Sequence, residues 1–315
     1  MPLEWQPCAD QDALRRRAKL LHDIREFMNE ERVLEVETPI LNPSAVPDPS
    51  IHSLSVESCV TRQKYYLGTS PEFYMKRLLA VDVGAIFQIV RVFRDDPISP
   101  IHQAEFSMLE WYIPGFDHQQ LMDQLQRLLQ KLGLDRAEAV SYKKAFADVY
   151  QVDPHTADIQ ELKNLAKKHG LHDSEIDRAS LLDFLFSHSV SATLGHERPT
   201  LLYDYPACQA ALAKLRPGNP DLAERFELFI QGVEIANGFN ELTDAIEQRK
   251  RFIAENQVRQ QRGLDLVPLD EPFLAALEHG LPACAGVALG LDRLLMILSG
   301  KKNISELMTF PIEDE

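Results

Sequence analysis

Residues 10–31 set Leu14, Leu21, Ile24, Phe27 and Met28 at helical spacing, with Asp10 or Asp12 available as N-cap, and so predict a helix. The period then changes. Val33 to Pro39 alternates as a strand that Pro39 stops. Pro43, Pro47 and Pro49 mark residues 40–55 as a loop. Tyr65 to Leu67 reads as a short strand, and Pro71 suits the first turn of a helix reaching Leu79. Ala85 to Arg94 is a strongly apolar strand. A polar, proline-containing hairpin from Asp95 to Gln103 joins it to a second strand, Ala104 to Tyr112, and an amphipathic helix is expected at 117–132.

From about 141 to 223 the pattern weakens into short helices and proline-bounded loops, read as an insertion. One strand is expected from Arg225 to Ala236, helices at Thr243–Arg262 and Pro272–His279, a strand at Gly286–Gly290 and a last helix at Asp292–Leu298. Hairpin-linked strands with helices outside predict an α+β fold on an antiparallel sheet. The expected organisation is a single catalytic-type domain over 1–315, interrupted by that insertion.

Composition narrows the classes. Of 315 residues, 45% are hydrophobic and 26% charged, which is globular rather than disordered. No apolar run approaches the roughly 20 residues that span a bilayer. Met1 to Trp5 has neither a basic nor an apolar character, so no secretory leader is expected. Cys8, Cys59, Cys208 and Cys284 lie far apart without zinc spacing and read as reduced thiols of a cytoplasmic protein. Lys and Arg number 33 against 48 Asp and Glu, a net charge of −15 that argues against a large nucleic-acid footprint.

Several side chains carry recognisable chemistry. Arg94 at a strand end and Arg293 at a helix start offer two fixed cations, suited to a triphosphate and to charge developing at phosphorus. Phe106 supplies a flat apolar face for a purine, with Arg293 able to stack on the purine's other side. Glu227 and Glu234, seven residues apart, would lie on opposite faces of an unbroken strand, so acting together requires a bulge, for which Gly232 is the expected site. Glu72, Glu110 and Glu241, with Tyr112, have no obvious basic neighbour, which implies that the ligand brings the positive charge. Taken singly, each has a plainer reading as a surface ion pair, a core aromatic or a solvated carboxylate.

Together they form an ordered set. Leu34–Pro39, then Phe93-Arg94-Asp95-Asp96 with His102–Tyr112, then Gly286–Leu294 resemble motifs 1, 2 and 3 of the class II aminoacyl-tRNA synthetases. Thr69–Glu72, Met108–Tyr112 and Glu234–Asp244 resemble the lysine-specific members. The resemblance implies ATP held by Arg94, Asp95, Asp96, His102, Gln103, Phe106, Glu234, Ile235, Gly290 and Arg293, with Arg94 and Arg293 catalytic. It implies Mg²⁺ on Glu227 and Glu234. It implies an amino-acid pocket of Ser70, Pro71, Glu72, Glu110, Tyr112, Asn237, Phe239, Glu241 and Ala288, with Asn237 and Arg94 on the carboxylate. Two positions depart from the pattern: Asp96 stands where glutamate is usual, and Gln103 where asparagine is common.

No basic, aromatic-studded barrel of the kind that reads an anticodon precedes the first helix, and Ala288 replaces a glycine usual in lysyl-tRNA synthetases. Both features resemble the elongation factor P lysyltransferase family. Membership implies ATP-dependent activation of (R)-β-lysine and its transfer to a lysine side chain of elongation factor P, by a cytoplasmic homodimer that uses neither tRNA nor a membrane. The rivals are a stand-alone enzyme making α-lysyl-adenylate, an ammonia ligase of the asparagine synthetase type, and a non-catalytic regulatory paralogue. The last should have lost Arg94, Arg293, Glu227 or Glu234, and all four are present.

Overall fold

Asp10 opens the first helix, α1 (Gln11–Glu30), by accepting a hydrogen bond from the Ala13 N–H at 2.7 Å. The helix buries Ala13, Leu20, Ile24, Phe27 and Met28; Leu14, expected on that stripe, is exposed. The computed structural model describes residues 5–172 and 176–312 and falls into two compact units, Met1–Gly115 with Thr243–Glu315, and Phe116–Leu242. The second unit is wider than the expected insertion at 141–223.

In the first unit, β1 (Leu34–Glu35) is all that forms of the strand expected at 33–39, and one more bond, from the Val36 N–H to Phe87 O at 2.9 Å, follows it before Pro39. β2 (Leu41–Asn42), β3 (Ser55–Glu57) and β4 (Lys64–Leu67) make a small sheet ordered β2-β4-β3, where a loop was expected to run from 40 to 55. Pro71 caps α2 (Glu72–Leu79) rather than entering its first turn. β5 (Ile86–Phe93) and β6 (Glu105–Pro114) pair antiparallel from Ile86 opposite Tyr112 to Phe93 opposite Glu105.

The second unit begins at α3 (His118–Lys131), whose capping box joins Asp117 and Gln120. β7 (Glu138–Ser141), α4 (Tyr142–Tyr150), α5 (Ile159–Lys168) and α6 (Arg178–Leu185) follow, then β8 (Thr200–Pro206), β9 (Leu215–Arg216), β10 (Asn219–Ile230) and β11 (Val233–Asn240). The strands run β11-β10-β8-β7, with β9 on β10 and only β7–β8 parallel. Tyr142, Phe146, Leu162, Leu181, Leu185, Leu202, Tyr205 and Phe229 form a core of its own. Burying each large apolar side chain is worth about 1.5–3 kcal/mol, enough to hold helices whose outer faces look polar in sequence.

The single strand expected over Arg225–Ala236 is in fact a hairpin. Gln231 (φ 54°) and Gly232 (φ 77°) form a two-residue turn with both backbones left-handed, the geometry that matches strand twist. The first unit then resumes with α7 (Ala245–Gln261), α8 (Glu271–Gly280), β12 (Cys284–Gly290) and α9 (Leu291–Leu298). Its sheet is ordered β1-β5-β6-β12, antiparallel apart from the β1–β5 edge pair. Among the described residues no helix is long and apolar enough to cross a membrane.

Candidate active site

Cross-strand partners share a face of a sheet, and the ladders of the first unit therefore define rows. Gln88, Glu110 and Ala288 form one row; Ile86, Tyr112 and Gly286 the next; Val90, Met108 and Gly290 the third; Val92 and Phe106 a fourth. Phe106, Glu110 and Tyr112 thus lie on one face, where β12 sets Gly286 opposite Tyr112, Ala288 opposite Glu110 and Gly290 opposite Met108. Small residues leave room above that strand. Glu110 is 1% exposed, and the Tyr112 hydroxyl donates to its Oε1 at 2.6 Å. Thr38 donates to Gln88 Oε1 at 2.9 Å in the same row.

The two arginines are held by backbone. Arg94 follows β5 directly; its N–H donates to Ala104 O at 2.9 Å, and its guanidinium carbon lies 5.3 Å from the centre of the Phe106 ring. Arg94 therefore meets that aromatic face. Arg293 Nε donates to Ile101 O at 3.1 Å, tying α9 to the 95–103 hairpin. One residue earlier, Asp292 accepts from Arg17 at 2.5 Å and from the Ser107 N–H at 2.6 Å. The hairpin closes on itself through Ser99 and His102, whose Oγ and Nδ1 lie 2.7 Å apart. The Asp95 N–H donates to His52 O, and the Asp95 side chain is exposed.

Gln103, expected to help read adenine, is buried, and its Oε1 accepts from the Ile312 N–H at 3.0 Å. One expectation needs correction. Glu72, expected to lack a cation, is paired with the fully buried Lys76 at 2.5 Å. The signal was in the sequence, since Glu72 and Lys76 stand four apart on one helix. Ser70 Oγ accepts from the Glu72 N–H at 3.2 Å and so shapes the entry to α2.

In the second unit, Glu227 pairs opposite Asn237 while Phe229 pairs opposite Glu234, with the register shifting between Leu228 and Phe229. Two residues on β10 thus match three on β11, an extra residue that corresponds to a bulge at Ile235. The bulge restores Glu227 and Glu234 to one face. A bulge was expected, but at Gly232, which is instead the turn. Glu227 is 5% exposed; the Tyr205 hydroxyl donates to its Oε2 at 2.5 Å, and Arg225 donates to its Oε1.

Burial raises the Glu227 carboxyl to about 7; Arg225 works against that rise and Glu234 adds to it. Burial, reinforced by Glu227, likewise pushes the Tyr205 hydroxyl well up. Sequence reading missed Arg225. Its Nη1 donates to Gln209 O at 2.7 Å, and its guanidinium carbon lies 4.6 Å from the Tyr205 ring centre and 5.8 Å from that of Phe239. Asn237 Oδ1 is buried without a hydrogen-bond partner among the described residues. Glu241 is 1% exposed and bridges to Ala213.

The family described as tRNA synthetases class II (D, K and N) matches residues 5–314. A protein of Vibrio vulnificus (strain YJ016) is 45% identical over 319 residues, covering 99% of both chains. Proteins of Avibacterium paragallinarum and Proteus mirabilis (strain HI4320) are also 45% identical, each over 98% or more of both chains. All three are named elongation factor P--(R)-beta-lysine ligase. With its motif residues on these strands, the chain belongs to the class II tRNA synthetases and, within them, to the elongation factor P--(R)-beta-lysine ligase family.

Proposed function

We propose that the chain is an ATP-dependent ligase that activates (R)-β-lysine and transfers it to a lysine side chain of elongation factor P. In the first step the amino-acid carboxylate attacks the α-phosphorus of ATP, forming the acyl-adenylate and releasing pyrophosphate. In the second the ε-amine of the acceptor attacks the acyl carbon, AMP leaves, and the amine proton goes to solvent. No protein nucleophile is needed; orientation and charge stabilisation supply the catalysis.

Arg94 and Arg293 hold phosphate charge, and Phe106 with the 95–103 hairpin receives the adenosine end. Glu110, with Tyr112 fixed on it, takes an amine of the substrate, Glu241 adds negative charge, and Glu72, whose charge Lys76 balances, contributes hydrogen-bond acceptors. Asn237 offers its side chain to the substrate carboxylate, with Phe239 beside it. Glu227 and Glu234 fit Mg²⁺, because two hard oxygen donors on one face suit an ion that fills its other positions with phosphate and water. When bound, that ion neutralises phosphate charge during the displacement. The enzyme is proposed to work as a cytoplasmic homodimer, with the exposed Leu34, Ile40 and Leu41 at the dimer contact. The net charge of −15 favours a protein acceptor over tRNA.

The observation that carries this reading is the Glu110 row: a buried carboxylate and a tyrosine hydroxyl facing a strand of Gly, Ala and Gly, in a chain 45% identical to named ligases. ATP–pyrophosphate exchange with (R)-β-lysine, α-lysine and asparagine tests it, and (R)-β-lysine should support the fastest exchange. Glu234→Lys should abolish that exchange while leaving the melting temperature of the ligand-free protein nearly unchanged. Asparagine-driven exchange, or wild-type rates in Glu234→Lys, would contradict the assignment.

A further inference from the structure

The hairpin between β5 and β6 is exposed or half-buried at every residue but Gln103. Its own bridge, Ser99 to His102, closes the tip, and a cavity of about 310 Å³ opens beside it, lined by Ile98, Ser99, Pro100, Gln103, Ser305 and Ile312 among others. Room of that size lets the hairpin shift unless bonds hold it. At its start the Asp95 N–H donates to His52 O at 2.9 Å. Beyond that residue, three bonds hold it: Arg293 Nε to Ile101 O at 3.1 Å, the Ile304 N–H to Pro100 O at 2.9 Å, and the Ile312 N–H to Gln103 Oε1 at 3.0 Å.

The last of these differs in kind. Gln103 is 4% exposed at the foot of the hairpin, and a backbone N–H can only donate, so the atom facing Ile312 must be the amide oxygen. The partner segment is anchored in turn, since the Cys8 N–H donates to Thr309 O at 2.9 Å and the Ala9 N–H to Met308 O at 3.1 Å. A buried acceptor stripped of this backbone donor carries a desolvation penalty, which ties the two segments to one another.

We propose that Gln103 is a positioning residue, through which segment 308–312 sets the pose of the nucleotide-binding hairpin. The inference rests on the proposed role of that hairpin in binding ATP. Gln103 acts at its base, through the backbone of Ile312, and the nucleotide is met by the residues the hairpin carries.

Three full-length variants test it. Gln103→Met keeps length and removes the amide acceptor, Gln103→Glu keeps an acceptor, and Ile312→Pro removes the backbone donor. Hydrogen exchange is read on peptides covering 98–106 and 306–312 without ATP, and KM and kcat for ATP are read in pyrophosphate exchange. Gln103→Met and Ile312→Pro should each speed hydrogen exchange in both peptides at least tenfold and raise the KM for ATP three- to tenfold. The kcat should fall less than twofold, and the double variant should be no worse than either single one. Gln103→Glu should restore protection at 306–312 relative to Gln103→Met. A raised KM in Gln103→Met with a wild-type KM in Ile312→Pro would mean that Gln103 touches the nucleotide itself, and would overturn the proposal. So would unchanged protection in both peptides. A wild-type chain without ATP-dependent exchange would instead remove the functional reading, and the hydrogen-exchange coupling would still decide this one.

Discussion

Ala288 stands directly opposite Glu110 in the β6–β12 ladder, and its methyl is the one side chain on that face of β12 between Gly286 and Gly290. A methyl beside the carboxylate narrows the space in which an amino acid's backbone can sit. One methyl is worth about 1 kcal/mol of discrimination, or roughly five- to tenfold in rate. Ala288→Gly should shift the ratio of α-lysine to (R)-β-lysine activation toward α-lysine by that factor, read as kcat/KM in pyrophosphate exchange. An unchanged ratio would remove Ala288 from the specificity of the site.

Half-buried Arg17 and buried Asp292 form an ion pair at 2.5 Å, and Asp292 also takes the Ser107 N–H. Removing the cation leaves a carboxylate that is 2% exposed without its charge partner. Arg17→Ala should therefore cost about 3 kcal/mol in urea unfolding. Activity should fall as well, because Asp292 anchors the turn of α9 that carries Arg293.

Gly195 has a φ of +76°, and a Cβ built there would come within 2.5 Å of Phe229 O. The neighbouring backbone receives the hairpin turn, with Gln231 N–H donating to Gly195 O and Gly232 N–H to Leu194 O, both at 2.8 Å. Gly195→Ala must displace β10 two residues beyond Glu227. The expected cost is about 2 kcal/mol or more in thermal or urea unfolding, from overpacking and left-handed strain together.

Burial pushes the Glu255 carboxyl up from 4.5 to about 8, with Asp48 adding to the rise and Arg251 opposing it. A carboxyl raised in the fold binds its proton more tightly there, so its contribution is full below pH 4.5 and is lost as pH climbs toward 8. Glu255→Gln cannot lose it. The variant should gain on the wild type by about 1 kcal/mol or more between pH 5 and 8, measured by urea unfolding at each pH. A constant difference across that range would mean that Glu255 titrates normally.

Much of the first unit was legible because its signals are local. The apolar runs of β5 and β6, the polar hairpin between them and the period of α1 each sit within one window of sequence, and Arg94, Glu110 and Tyr112 could be placed on them. The β10–β11 turn was missed because Gln231-Gly232 lacks the Asn-Gly or Asp-Gly signature while apolar residues continue on both sides. Residues 141–223 looked weak for a different reason. Their core joins positions far apart, such as Tyr142 and Tyr205 with ring centres 4.8 Å apart, and no local window contains both. Gln103 and Ile312 lie 209 positions apart, and only folding brings a lone glutamine to a backbone N–H. Arg225 was readable as a cation two residues from Glu227, but its two aromatic neighbours come from other strands.

The identity of the acceptor is the centre of the functional account, and one transfer assay addresses it. The chain is incubated with ATP, Mg²⁺ and labelled (R)-β-lysine, with bacterial elongation factor P in one reaction and lysine tRNA in a parallel one. Label should appear on a lysine of the elongation factor, located by mass spectrometry, and the tRNA should stay unlabelled. Label on the tRNA with none on the protein would contradict the account and return the chain to aminoacylation.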